Sequence, residues 1–153
     1  MTTRILSHPE LLVMLWLHTE LDPPDHQWSL AVQALLRERR ERGRNPDQLR
    51  HIVISDGGAP GVAQRSQLFR DVHEGQPVRA AAVTLALSNP VKRCIATAIS
   101  WLNPALRFFQ PARFQDALAY LELGDYRREI EREYRDMNER FGRLVQVFER
   151  VSF

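Results

Sequence analysis

The chain has 153 residues, enough for one domain with a single core, and its 44% hydrophobic and 26% charged composition excludes wholesale disorder. The formal net charge is only +2, and Lys92 is the one lysine among 21 basic residues. A broad nucleic-acid surface calls for a larger positive excess, so no nucleic-acid partner is expected. The single cysteine, Cys94, excludes an intrachain disulfide and a multi-cysteine zinc site. It falls in an apolar helical pattern, as a buried thiol in a reducing compartment does.

Residues 4–7 and 11–18 read as two strands joined by a turn at His8-Pro9-Glu10, because proline cannot donate to a central ladder. The apolar run 11–17 falls short of the roughly twenty residues that span a bilayer. With no small-x-small cleavage site after it, the expected location is the cytoplasm, without a membrane span. Asp22-Pro23-Pro24-Asp25 then opens a helix: Asp22 as cap, Pro23 in the first turn, Asp25 at the positive end of the dipole. Trp28, Val32, Leu35 and Leu36 form its buried face, and Gly43 and Pro46 stop it. The arginines at 37, 39, 40, 42 and 44 read as a solvated helix end.

Residues 51–55 are a β-branched strand, followed by the turn Asp56-Gly57-Gly58-Ala59-Pro60-Gly61 and a helix over 62–72. The unit repeats: an apolar strand over 78–87, a cap at Ser88-Asn89, and a helix from Pro90 to Leu102. A short strand over 106–109 and a helix over 113–123, closed by Gly124, follow. The order ββαβαβαβα predicts an α/β fold with a mixed, mostly parallel sheet of four or five strands and packed helices. Residues 1–124 are read as this domain and 125–153 as a separate C-terminal amphipathic helix. In that helix Ile130, Tyr134, Met137, Phe141, Leu144, Phe148 and Val151 recur at alternating spacings of 4 and 3, the pattern of a heptad seam. Such a stripe packs on its own domain, on a second copy or on another protein; the expectation is a homodimer that buries it.

The chain resembles the SpoIIAA-like branch of the STAS domain family, which is related to SEC14-type domains. The resemblance spans roughly residues 4–123 and rests on the opening hairpin, on Leu21-Asp22 before the first helix, on Ile52-Val53-Ile54-Ser55-Asp56-Gly57-Gly58, on Ala98-Ile99-Ser100-Trp101-Leu102-Asn103-Pro104 and on the final helix. It implies a STAS-like fold and a small binding and switching module. Members of the family are phosphorylated on a serine directly after an aspartate at the end of the third strand. Here Asp56 matches the aspartate, but Gly57 and Gly58 stand where that serine would lie.

Loops at the carboxyl ends of parallel strands form the usual ligand crevice of such sheets. The candidate ligand residues are therefore Asp56, Gly57, Gly58 and Arg65, with Ser88, Lys92 and Arg93 at the start of the later helix, where backbone N–H groups suit an anion. The same glycines also serve tight turns alone. Trp101, Phe108 and Phe109 read as core. No P-loop, dinucleotide fingerprint or nucleophile elbow is present, and the five histidines lack metal-ligand spacing. The sequence thus predicts no catalytic residue, metal or cofactor. It predicts a non-enzymatic interaction and signalling module that binds a protein partner and self-associates through its C-terminal helix. The alternative is a carrier or sensor of a small anionic or apolar, lipid-like ligand held by the 56–61 and 88–93 loops.

Overall fold

The strand Leu12–His18 (β2) is apolar from Leu12 to Leu17 and buried throughout, which requires cover on both faces of the sheet. The computed structural model describes residues 1–85 and 105–140. β2 pairs antiparallel with Thr2–Leu6 (β1) and parallel with Leu49–Ser55 (β3). Ala81–Leu85 (β4) and Leu106–Phe109 (β5) continue in parallel, giving five strands in the consecutive order β1-β2-β3-β4-β5. In the turn between β1 and β2, the ring nitrogen Nδ1 of His8 accepts from the backbone N–H groups of Glu10 and Leu11.

Alternate residues of each strand point to opposite faces. Val13, Leu15 and Leu17 of β2, with Ile52 and Ile54 of β3, meet the helices Phe114–Tyr120 (α3) and Arg127–Arg140 (α4). Leu12, Met14 and Trp16 face the other way, toward Asp25–Glu41 (α1), whose Trp28, Ala31, Val32 and Leu35 are buried there. Val62–Asp71 (α2) lies beside α1 on that second side.

Two sequence expectations change here. Asp22 does not cap α1. The cap position is Pro24, and the Asp22 carboxylate instead accepts from the Ala59 N–H at 3.0 Å, joining the loops that follow β2 and β3. The C-terminal stripe is not free to form an intermolecular seam along its first half. Ile130, Tyr134 and Met137 are buried in this chain's own core with Leu6, Val13 and Leu15, so α4 belongs to the domain. A 4-and-3 spacing produces one apolar face whichever surface receives it. Arg4 of β1 clamps the outer side of α4 through Asp136 at 2.8 Å and Glu133 at 3.4 Å. The remaining seam positions, Phe141, Leu144, Phe148 and Val151, lie outside the described residues, as does the helix expected from Pro90 to Leu102.

The chain reverses with positive φ at Glu74 (54°) and Glu122 (62°), and each of these glutamates reaches a buried arginine. Glu74 pairs with Arg39, and Glu122 with Arg50 at 2.8 Å. The basic stretch after residue 37 is thereby largely consumed within the fold: Arg42 pairs with Glu38, and Arg44 donates to the Pro9 carbonyl.

Candidate functional site

α2 contains no fully buried residue, unlike α1, α3 and α4. It is propped at its two ends instead. At the start, the Gln64 side chain donates to the Pro23 carbonyl and the Asp25 carboxylate, and the Gln64 carbonyl accepts from Trp28 Nε1–H at 2.9 Å. Just beyond its end, Val72 and His73 are fully buried. Between these supports lies a cleft of about 420 Å³, within the range of small-molecule sites. Its floor is Val53 of β3, Ala81 and Val83 of β4, and Leu106 and Phe108 of β5; Leu68 and Phe69 of α2 form the opposite wall. Gly58, Ala59 and Pro60 close one end, beside Arg65 and Ser66.

The inner wall holds Trp16, Trp28, His18 and His51. The two indoles stack with centroids 5.2 Å apart at 25°. Trp16 Nε1–H donates to His51 Nδ1 at 3.1 Å, and His51 Nε2 lies 3.0 Å from His73 Nε2. An indole can only donate, so neutral His51 carries its proton on Nε2 and gives it to His73 Nε2. The proton of His73 is then on Nδ1, which is buried and has no hydrogen-bond partner among the described residues. His18 Nδ1 is likewise buried without a partner among them. Burial pushes His18 down to about 4, with further lowering from the amino terminus, and His51 down to about 3, where His73 and Arg50 add to the effect. Burial and then Arg39 bring His73 to about 4. All three rings are neutral near pH 7. Among the described residues, no group of three or more His, Cys, Asp or Glu side chains is placed to hold a metal ion.

The Ser55–Gly58 turn is stiff. Ser55 Oγ donates to the Gly58 carbonyl at 2.8 Å and accepts from the Gly57 N–H at 2.9 Å. Gly57 has φ 129°, a conformation that L side chains rarely adopt. Gly58 donates to the Thr19 carbonyl, and a Cβ there would stand 2.1 Å from the Leu21 carbonyl oxygen. Of the residues expected from sequence to bind a ligand, Gly58 and Arg65 line the cleft. Asp56 and Gly57 lie in the turn and are not part of its wall, because the cleft runs under α2 along the sheet and not across the loop tips. Ser88, Lys92 and Arg93 are outside the described residues, as is Trp101. Phe108, read as core, faces the cleft, while Phe109 packs on the opposite core as expected.

Sequence reasoning missed Trp16, His18 and His51 as wall residues. The available signal was two polar rings, His18 at the end of the otherwise apolar β2 and His51 in the mostly apolar β3. The chain has no significant match among protein-family models, curated proteins or solved structures. The fold and the site therefore define it as an α/β protein with a mixed five-stranded sheet and an apolar cleft under α2.

Proposed function

We propose that this chain is a non-enzymatic, STAS-like binding module that takes a small apolar ligand into the cleft between α2 and β3–β5. The observation that carries the reading is α2 itself, held by polar bonds at one end and by Val72 and His73 beyond the other, with an apolar space beneath it. Two further points support it. The segments on which the STAS resemblance rests, the opening hairpin, Leu21-Asp22 and Ile52–Gly58, fall on β1 and β2, the loop before α1, and β3 with its turn. Two polar groups at the cleft are also committed to structure: Ser55 braces the turn and both nitrogens of His51 are bonded, so neither is poised as a nucleophile or base.

Thermal denaturation with a panel of small apolar molecules tests this reading. A ligand specific to the folded state, at a hundred times its Kd, adds about 2.7 kcal/mol. Val83→Phe, which fills the floor, is expected to abolish that gain while leaving the protein folded. A panel without effect, or a gain that survives Val83→Phe, rejects the cleft as the site.

A protein partner is the second reading, favoured by two exposed apolar side chains. Leu21, in the loop after β2, and Val62, at the start of α2, are 77% and 72% exposed, and the Asp22–Ala59 hydrogen bond joins the segments next to them. Leu21→Asp with Val62→Asp would then remove partner capture and leave ligand stabilisation intact.

A further inference from the structure

We infer that the ligand of the cleft is an apolar molecule bearing one anionic group, a monocarboxylate in its simplest form, with the anion held at Arg65. The inference rests on the proposed cleft-binding reading and adds the chemical class of the ligand.

Charge around the cleft is one-sided. Among the described residues lining it, Arg65 is the only one that is charged near pH 7, since no Asp or Glu contributes and the histidines are neutral there. Arg65 has no carboxylate partner among the described residues. One of its N–H groups donates to the Pro60 carbonyl, which fixes the guanidinium at the closed end and leaves further donors for an anion. The positive end of the α2 dipole lies at the same place. α2 starts at Val62, and although Gln64 Oε1 takes the Gly61 N–H at 2.9 Å, the helix dipole still adds positive potential beside the cation. Ser66, the next residue on α2, adds a hydroxyl. On the inner wall, His18 is 2% exposed and keeps Nδ1 without a partner among the described residues, a buried polar atom that a bound molecule can satisfy. The rest of the surface is apolar, supplied by Val53, Leu68, Phe69, Val83 and Phe108. An amphipathic anion matches this distribution, whereas a neutral hydrocarbon leaves Arg65 unused and a polar anion leaves the floor unfilled.

The test uses calorimetric titration of the full chain with two matched pairs, decanoate against decanol and 1-naphthoate against 1-naphthalenemethanol. The pairs separate alkyl from aryl ligands, and within each pair only the charge changes. The acid is expected to bind about tenfold tighter than its alcohol, the scale of one charge-assisted hydrogen bond. Arg65→Gln, on the exposed side of a helix, is expected to erase that difference without weakening the alcohol. Arg70→Gln, exposed on the same helix, is expected to keep it. Equal binding of acid and alcohol overturns the anionic class but leaves the cleft reading standing. Absence of binding by all four compounds overturns both. An acid preference that survives Arg65→Gln, or one lost equally in Arg70→Gln, overturns the assignment to Arg65.

Discussion

His51 and His73 face each other through their Nε2 atoms at 3.0 Å, and the indole of Trp16 fixes which of them carries the shared proton. Their folded-state pKa values, about 3 and about 4, and that of His18, about 4, all lie below the ordinary 6.5. The unfolded chain therefore binds more protons than the folded one below pH 6.5, and stability falls as pH drops from 6.5 toward 4. Each histidine contributes a slope of at most about 1.4 kcal/mol per pH unit. The Glu74 and Glu122 carboxyls, held below their ordinary 4.5 by hydrogen bonds and charge from Arg39 and Arg50, add a further loss below about pH 4.5. Urea midpoints between pH 7.5 and 4 are expected to fall most steeply below 6.5, with a shallower decline above it from the partly buried amino terminus, whose pKa burial holds below 8.0. A midpoint flat down to pH 5 would refute the buried neutral rings.

Trp16→Phe removes the donor that sets this order of protons. His51 Nδ1 is then left as a buried acceptor without a partner, at a cost of about 1–3 kcal/mol. Nitrogen NMR of the wild type is expected to show His51 protonated on Nε2 and His73 on Nδ1. The opposite pair of tautomers contradicts the direction derived from the indole.

Much of this fold was legible because its signals are local. The unbroken apolar run of β2 marks a central strand, and Gly57-Gly58 marks the turn beyond β3. The cleft was not legible, because Trp16, His51, His73, Val83 and Phe108 meet only after strands far apart in sequence pair and α2 returns across them. The destination of the last helix was hidden for a different reason: its period is the same for packing in its own domain and for packing across a dimer.

At the turn, three glycine substitutions separate two causes. Gly57→Ala is expected to lose about 1–3 kcal/mol, through its positive φ. Gly58→Ala is expected to lose more, because the new Cβ would collide with the Leu21 backbone, which cannot move without breaking the Thr19–Gly58 hydrogen bond. Gly61→Ala meets nothing within 4 Å at an ordinary φ of −66°, and is expected to be neutral or slightly stabilising. Thermal melts that rank the three differently would show that the turn is not the rigid element described.

The C-terminal helix offers the sharpest test of where an apolar stripe has gone. Ile130, Tyr134 and Met137 are at most 3% exposed and share one core with Leu6, Val13, Leu15 and Leu17. Large-to-small changes at such positions cost about 2–5 kcal/mol, because the emptied space collapses only in part. Ile130→Ala and Met137→Ala should therefore each destabilise the protein by that amount in urea titration, equally at low and high protein concentration. A loss that grows on dilution would instead place these side chains at an interface between copies, since dissociation follows mass action. Removal of residues 125–153 should expose the β1–β2 face and yield an unfolded or aggregating chain, because the apolar side chains of that face lose their cover. If the shortened chain remains folded with wild-type stability, α4 is an appendage and its three buried residues are not part of the core.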